Sequence, residues 1–276
     1  MSLNVLSWLI RAPLFNRRAN GAETPSTNWR DRISNRYQIL LRACKQQILF
    51  WYRTIRKPGV IKSEGIVIPL GEHISNIIRQ DLYRGGYESC EMGVLKSRLA
   101  ADDTVMEIGA GLGFLSCYVA KKNGSDRVFA YEANPNLEKP IRDLYQLNQV
   151  KPTLDICLIG KENGKELFYI EKDFWSSSKI QKNPNSQPIE IPVKSFNQEV
   201  RRINPSFLII DIEGGEYELM SYADWHNVQK ILIEIHPEQI GYEQAEFVES
   251  KLIEAGFQIK QKICFHNWIL FLQRTV

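Results

Sequence analysis

One imidazole and several carboxylates follow two short apolar runs in the second half of the chain. The stretches "FLIIDIEGGE" and "ILIEIH" contain the candidate catalytic residues, which are Asp211, Glu213, Glu216, Glu234 and His236. Histidine exchanges a proton near neutral pH, and a positioned base is what a weak nucleophile such as a hydroxyl needs. Asp211 and Glu213 flank Ile212, so their side chains point the same way if the strand continues. We therefore predict that His236 acts as base or positions a substrate, and that Asp211 orients the reacting groups.

Two of these residues also have plain structural interpretations. Glu216 can simply begin a helix, where a carboxylate favours the positive end of the helix dipole. His236 precedes Pro237 and can serve as a hydrogen-bonded spacer at a strand end.

Three carboxylates and one imidazole also suit Mg²⁺ or Mn²⁺. Because spacing alone does not establish such a site, a divalent metal stays an alternative and is not predicted.

A glycine-rich turn lies between the apolar run 104–108 and a helical pattern, in "TVMEIGAGLGFLSCYVA". A strand that enters a helix through glycines presents free backbone N–H groups to a ligand. A dinucleotide site needs G-x-G-x-x-G, but the third glycine position of that pattern is occupied by Phe114. The carboxylate of Glu107 would repel a pyrophosphate, whereas it can accept a hydrogen bond from an ammonium group. The turn therefore disfavours NAD.

A second acidic residue ends the next apolar run, "VFAYE", at Glu132, which is 25 positions after Glu107. A carboxylate at that place can accept both ribose hydroxyls of a nucleoside. A ligand with a nucleoside, an amino acid and a positive centre satisfies both acids, and S-adenosylmethionine is such a ligand. We expect it to be the cofactor.

The elements that position these residues alternate along the chain. Such alternation of strands and helices predicts a mostly parallel sheet covered by helices on both faces. The last two strands are joined by a few residues only, so they must pair antiparallel. A hairpin arm at about 165–195 carries a polar loop at 176–188. The stretch "GVIKSEGIVIPLG" predicts two short strands, and helices are predicted after it at 74–83 and 88–99. Further strands are predicted at 104–108, 127–132, 153–158, 206–211, 229–235, 257–263 and 267–273, and a further helix at 243–255.

The N-terminal segment differs from the rest in charge. Residues 1–57 contain nine Arg, two Lys, one Glu and one Asp, so they carry +9, while the other 219 residues carry 3 − 9 = −6. Residues 31–56 place apolar side chains at helical spacing with basic residues on the other faces. This predicts a helix that docks on the domain or on a second subunit; the alternative is a basic amphipathic helix on an anionic membrane. Nucleic acid is not expected, because the acidic remainder offers no basic groove.

Other features limit the class of protein. The five cysteines are scattered without zinc-ligand spacing, which is typical of free thiols in a reducing compartment. No apolar run reaches the roughly 18 to 20 residues that span a bilayer, and the segment 1–10 lacks the pattern of a signal peptide. We expect a cytoplasmic protein, with contact at the inner membrane face as an alternative. The predicted domains are 1–57, a largely helical extension, and 58–276, whose core is 85–276.

Four stretches together make the chain resemble the FkbM family of S-adenosylmethionine-dependent methyltransferases. They are "GGYESCEMGVLKSRLAADDTVMEIGAGLGFLS", "VFAYEANPNLEKPIRDLYQLNQV", "FLIIDIEGGEYELM" and "ILIEIHPEQIG". The resemblance implies a class I methyltransferase fold, a Rossmann-like α/β sheet that is mostly parallel with an antiparallel last strand. It also implies a cofactor site. Its expected residues are Tyr87, Glu88, Glu107, Gly109, Ala110, Gly111, Gly113, Glu132, Ala133, Cys157, Leu158 and Asp211.

The chain departs from the family pattern at a few positions. Glu107 stands where the family often has Asp, Ile209 where it often has Lys, and Phe196-Asn197 where a Leu-Asp pair often ends the arm. These departures concern the substrate more than the cofactor. We expect O-methylation of a hydroxyl on a sugar, a glycolipid or a secondary metabolite. The alternative is a noncatalytic protein that binds a membrane or a partner on a vestigial methyltransferase fold.

Overall fold

A computed structural model describes residues 29–170, 187–264 and 266–274, and the chain divides into two compact units, Met1–Lys45 and Gln46–Val276. The first unit contributes the beginning of helix α1, which starts at Trp29 and continues to Arg56. The helix predicted over 31–56 is therefore present, and it stops two residues before Pro58, which cannot continue it. Among the described residues, no helix is both long and apolar enough to cross a bilayer.

The second unit alternates strands and helices, as the sequence predicts, with most bounds within two residues of the expected ones. Its helices after α1 are α2 Asn76–Arg84, α3 Ser89–Arg98, α4 Phe114–Asn123, α5 Glu138–Leu147, α6 Phe196–Ile203, α7 Glu216–Leu219, α8 Pro237–Ile240 and α9 Tyr242–Glu254. Its strands are β1 Val60–Ser63, β2 Ile66–Pro69, β3 Val105–Ile108, β4 Val128–Glu132, β5 Thr153–Ile156, β6 Leu158–Gly160, β7 Gly164–Ile170, β8 Gln187–Ser195, β9 Phe207–Ile210, β10 Lys230–Ile235, β11 Phe257–Cys264 and β12 Trp268–Arg274.

Seven strands form the main sheet, in the order β11-β12-β10-β9-β3-β4-β5. Strands β5, β4, β3, β9 and β10 are parallel, whereas β12 runs antiparallel to both β10 and β11. The expected antiparallel end of the sheet is confirmed. The carboxyl ends of β3, β4 and β9 consequently meet at one edge of the sheet, which is where an open α/β sheet binds its ligand.

Both faces of this sheet are covered, which explains why its central strands are mainly apolar. Every residue of β3 and of β9 is buried. Val105 on β3 belongs to the core that contains α3, α4 and α5, whereas Met106, the next residue, belongs to the core that contains α6 and α9. Side chains alternate between the two faces of a strand, so one strand supplies both cores.

The predicted arm is a separate sheet of three strands in the order β6-β8-β7. Strands β7 and β8 pair antiparallel, as expected for a hairpin, and β6 pairs parallel with β8. The strand predicted over 153–158 ends at Ile156, and the chain then leaves the main sheet to begin β6 at Leu158. Most of the polar loop predicted at 176–188 lies outside the described residues.

Candidate functional site

A pocket opens at the carboxyl ends of β3, β4 and β9. The glycine turn after β3 forms one wall, and the segment that follows β9 forms another. Residue Phe168 of the arm and Ile78 of α2 close it from the sides. The sequence-predicted residues among its lining are Tyr87, Glu88, Gly109, Gly111, Glu132, Ala133, Cys157, Leu158, Asp211 and Glu213.

The glycine turn is shaped by close contacts between backbone segments. A Cβ atom on Gly109 would lie 1.6 Å from the carbonyl oxygen of Asp211, so no larger residue fits between the ends of β3 and β9. The amides of Gly109 and Ala110 donate to the carbonyl oxygen of Tyr131, at 2.9 and 3.0 Å, which ties the turn to β4. The turn is therefore rigidly attached to two neighbouring strands.

Gly113 has a different task from the one expected. It has a φ of +72°, and a Cβ on it would come within 2.7 Å of the Ile141 side chain. This glycine lets α4 begin close to α5, and it does not line the pocket. Ala110 lies instead beside a small second cavity behind the turn, together with Glu107 and Glu234.

The carboxylate of Glu132 is held in place by the main chain. Its Oε2 accepts from the Gly111 amide at 2.8 Å, and its Oε1 accepts from the Asn134 amide at 2.8 Å. Burial raises its pKa to about 7, although these two amides act in the opposite direction. Each oxygen keeps a further lone pair, so the side chain is oriented and able to accept two more hydrogen bonds from a ligand.

Glu107 lies behind the glycine turn and is only 2% exposed. Its Oε2 is buried and has no hydrogen-bond partner among the described residues. Burial raises its pKa to about 8; a hydrogen bond from Ser116 lowers the pKa, and the neighbouring Glu132 raises it. An unsatisfied buried acceptor costs free energy, and a ligand with an ammonium donor would satisfy it.

His236 is buried against a second carboxylate. Its Nδ1 lies 2.7 Å from Oε1 of Glu216, and the Gly214 amide donates to the same oxygen at 3.1 Å. Glu216 is fully buried, and His236 is 2% exposed. A Nδ1–H group that donates to Glu216 fixes the ring and leaves Nε2 as the reactive nitrogen. Glu216 begins helix α7, as its interpretation as a helix start predicts. Its side chain also orients the imidazole of His236.

The Nε2 atom of His236 faces three carboxylates at the end of the pocket. It lies 3.6 Å from Oδ1 of Asp211, 3.6 Å from Oε1 of Glu213 and 3.8 Å from Oε1 of Glu234. Glu234 lies on β10, whereas Asp211 and Glu213 lie in the segment that follows β9. Strands β9 and β10 are adjacent in the sheet. The structure therefore brings all five predicted catalytic residues together, although Glu216 and His236 lie behind the pocket wall.

The charges of this cluster shift its proton affinities. Burial lowers the pKa of His236, but the hydrogen bond to Glu216 and the charges of Glu213 and Glu234 raise it by more, so the net pKa is raised. Burial raises the pKa of Asp211, and Glu234 and Glu213 raise it further. The pocket end is rich in negative charge, and a cationic ligand would relieve that repulsion.

The described residues also contain one set whose ligand atoms are close enough to hold a metal ion. Oxygens of Asp211 and Glu234 and a ring nitrogen of His236 lie within 4.8 Å of one another. The same distances are compatible with carboxylates that surround a protonated imidazole.

Sequence reasoning missed several residues of the pocket. Phe168 and Ile78 come from elements that were not assigned to the site, and their apolar side chains gave no signal. Glu91, which was also missed, lines the small second cavity behind the glycine turn together with Glu88 and Glu107. Burial raises the pKa of Glu91 to about 7, and the charge of Glu234 raises it further.

The fold and the pocket define a class. A mostly parallel open sheet with one antiparallel strand at its end, and a ligand pocket at the carboxyl ends of its central strands, is the Rossmann-like fold of class I methyltransferases. The family model "Methyltransferase FkbM domain" matches residues 107–259. The match covers more than half of the chain, and the protein belongs to this family.

Solved structures with a similar fold have low sequence identity to the chain. A methyltransferase from Pyrococcus furiosus is 12% identical with a TM-score of 0.45, over 84% of this chain and 99% of the other. A ribosomal protein L11 methylase from Lactobacillus delbrueckii subsp. bulgaricus is 16% identical with a TM-score of 0.42, over 69% and 80%. A Pyrococcus abyssi tRNA (uracil-54, C5)-methyltransferase in complex with S-adenosyl-L-homocysteine is 10% identical with a TM-score of 0.45, over 78% and 44%. No curated protein matches the chain.

Proposed function

We propose that the protein transfers a methyl group from S-adenosylmethionine to a hydroxyl of a sugar, a glycolipid or a secondary metabolite. The observation that carries this proposal is that the two ends of one pocket differ in the ligand groups they can bind. Glu132, fixed by two amides, suits ribose hydroxyls, while the carboxylates around Asp211 suit a positive centre. Family membership supports the reaction type, and the site supports the choice of cofactor.

The cofactor fits the donors and acceptors that the chain offers. Buried Glu107 has an oxygen without a hydrogen-bond partner in the described structure, and so has Asp211. Both would gain a donor or a positive charge from the amino-acid end of S-adenosylmethionine. Cys157 and Leu158 lie beside Glu132 in the pocket lining, where an adenine would follow a ribose. When bound, the cofactor supplies an electrophilic methyl group on a sulfonium.

The chain's own residues then align the acceptor and remove its proton. Glu132, Glu107 and Asp211 would hold the cofactor, which would supply its methyl group to the acceptor oxygen and keep the electron pair of the broken carbon–sulfur bond on sulfur. The hydroxyl proton would pass to Nε2 of His236 by way of Asp211, which lines the pocket and whose Oδ1 lies 3.6 Å from that nitrogen, while Glu216 holds the other ring nitrogen. Asp211 orients the reacting groups, because it lies beside Nε2 and also lines the pocket. The pocket walls exclude water and fix the in-line geometry.

The test uses S-adenosylmethionine labelled with tritium in its methyl group, incubated with fractionated lipids, glycans and metabolites from cell extract. Label should enter a product that survives mild alkali, since methyl ethers resist alkali and methyl esters do not. The Glu132→Ala variant is the matched control and should transfer little label. Asp211→Ala should reduce both cofactor affinity and turnover. Label in alkali-labile esters would contradict a hydroxyl acceptor.

Two further outcomes would overturn parts of the proposal. A chelator should leave turnover unchanged; if it abolishes activity and Mg²⁺ or Mn²⁺ restores it, Asp211, Glu234 and His236 are metal ligands and His236 is not the base. If calorimetry detects no binding of S-adenosylmethionine or S-adenosylhomocysteine, the noncatalytic alternative replaces the enzyme.

A further inference from the structure

The last turns of α1 have one face that is attached to the methyltransferase domain. Arg53 donates from Nη1 to the carbonyl oxygens of Leu82 and Tyr83 at 2.8 and 3.0 Å. Phe50 packs against the core, and the Arg84 guanidinium lies 4.4 Å from the centre of its ring. These contacts hold the helix end against α2, so its orientation on the second unit is fixed.

The opposite face of the same turns is apolar and exposed. Ile48, Trp51, Tyr52 and Ile55 are 72%, 60%, 59% and 76% exposed, and we call these four residues the apolar patch. Their spacing of three or four positions places them on one side of a helix. Single exposed apolar residues are ordinary, but a cluster that combines two isoleucines with Trp and Tyr is typical of an interaction surface.

The sequence around the apolar patch is basic. From position 32 to position 63 the sequence contains eight basic residues and no acidic residue. Arg56, Lys57 and Lys62 in this stretch are exposed. A partner surface that contacts the apolar patch therefore meets positive charge. Binding is favoured when that partner surface is negatively charged.

We propose that the apolar patch docks the protein on an anionic phospholipid membrane. Trp and Tyr prefer the interface between lipid and water, because each has an apolar body and a polar tip. The two isoleucines can enter the acyl boundary, while the basic residues meet lipid phosphates. A second copy is a poorer occupant, since a symmetric dimer would place the same positive surfaces against each other. The inference is independent of the identity of the methyl acceptor.

Flotation of the full-length protein with vesicles tests this inference. Vesicles of phosphatidylcholine with added phosphatidylserine should carry the protein at low salt and release it as salt rises, because screening weakens the basic contribution. Ile55→Asp should lower the bound fraction at least tenfold. Ile253→Asp is the matched control, because Ile253 is 51% exposed on α9, outside the patch. It should bind vesicles as the unchanged chain does.

Three results would overturn the proposal. The first is absence of flotation with anionic vesicles at low salt, and the second is equal flotation with phosphatidylcholine alone. The third is a concentration-dependent dimer, seen by light scattering, that Ile55→Asp abolishes while vesicle binding is unchanged, because the second copy would then be the occupant. Circular dichroism of both variants confirms folding, and their affinity for S-adenosylhomocysteine separates this inference from the proposed function.

Discussion

The two ends of the pocket are built in different ways. At the β4 end, Glu132 is oriented by the amides of Gly111 and Asn134, which belong to the main chain of nearby loops. At the β9 end, His236 is oriented by the side chain of Glu216 and faces carboxylates from two strands. We infer that one end holds a ligand and the other moves a proton, because in the described residues an imidazole lies among carboxylates only at the second end.

The largest expected effect tests the β9 end of the pocket. His236→Ala and His236→Gln should lower turnover by roughly 10² to 10⁴, as expected when general-base catalysis is lost, while affinity for S-adenosylmethionine stays nearly unchanged. Because the pKa of His236 is raised above 6.5, kcat/KM of the unchanged enzyme should rise with pH through that raised pKa. Both variants should lose this rise. Normal turnover in either variant without added metal would make His236 structural.

A smaller effect is expected at the ribose end. Glu132→Ala should weaken S-adenosylmethionine and S-adenosylhomocysteine by about 1.5 to 3 kcal/mol, the contribution of hydrogen bonds to a charged group. Calorimetry of both ligands measures this change. Glu138→Ala on the exposed face of α5 is the control. Unchanged affinity in the Glu132 variant would place the ribose elsewhere.

Glu216 sharpens the distinction between positioning and reaction. Glu216→Gln keeps an oxygen that can accept from Nδ1 of His236 but removes a buried negative charge that raises the pKa of the imidazole. The pH at which kcat/KM rises should therefore move down, with less than a tenfold change in the maximal rate. A purely structural role for Glu216 would leave the pH profile where it is.

The smallest expected effect concerns stability. The pKa of Glu107 is raised to about 8 in the folded protein from an ordinary value of 4.5. Between these values the unfolded chain loses a proton that the folded chain keeps, so folding stability falls as pH rises through this range. Glu107→Gln should remove part of that fall and raise Tm at pH 8 by a few degrees, at about 2 to 4 °C per kcal/mol for a chain of this size. It should leave Tm at pH 4 nearly unchanged.

Thermal melting of the ligand-free protein across this pH range measures the effect. Glu243→Gln, at an exposed position of α9, provides a control that should not alter the pH dependence. The Glu107 variant should also gain less stability from S-adenosylhomocysteine, because its amide cannot neutralise an ammonium group. A variant whose Tm falls with pH as steeply as the unchanged chain would show that Glu107 does not hold the proton.

The sequence by itself determined the order of the elements and the residues at strand ends. The mainly apolar run of β3 and the apolar run of β9 predict strands covered on both faces, and the glycine turn and Glu132 predict a ligand site beside them. These are local patterns, in which a residue and its near neighbours carry the information. Family resemblance extended them to Cys157 and Leu158, which the structure places in the pocket lining.

Only the tertiary structure decided which side chains meet and how deeply they lie. Glu216 and His236 are 20 positions apart, and their 2.7 Å contact depends on β9 and β10 being neighbours in the sheet. Gly113 packs against Ile141, which depends on where α5 lies. Phe168 reaches the pocket from β7 of the arm, which the chain forms after it has left the main sheet at Ile156. Such contacts arise between segments far apart in the chain, and no local pattern of residues specifies their distance or their burial.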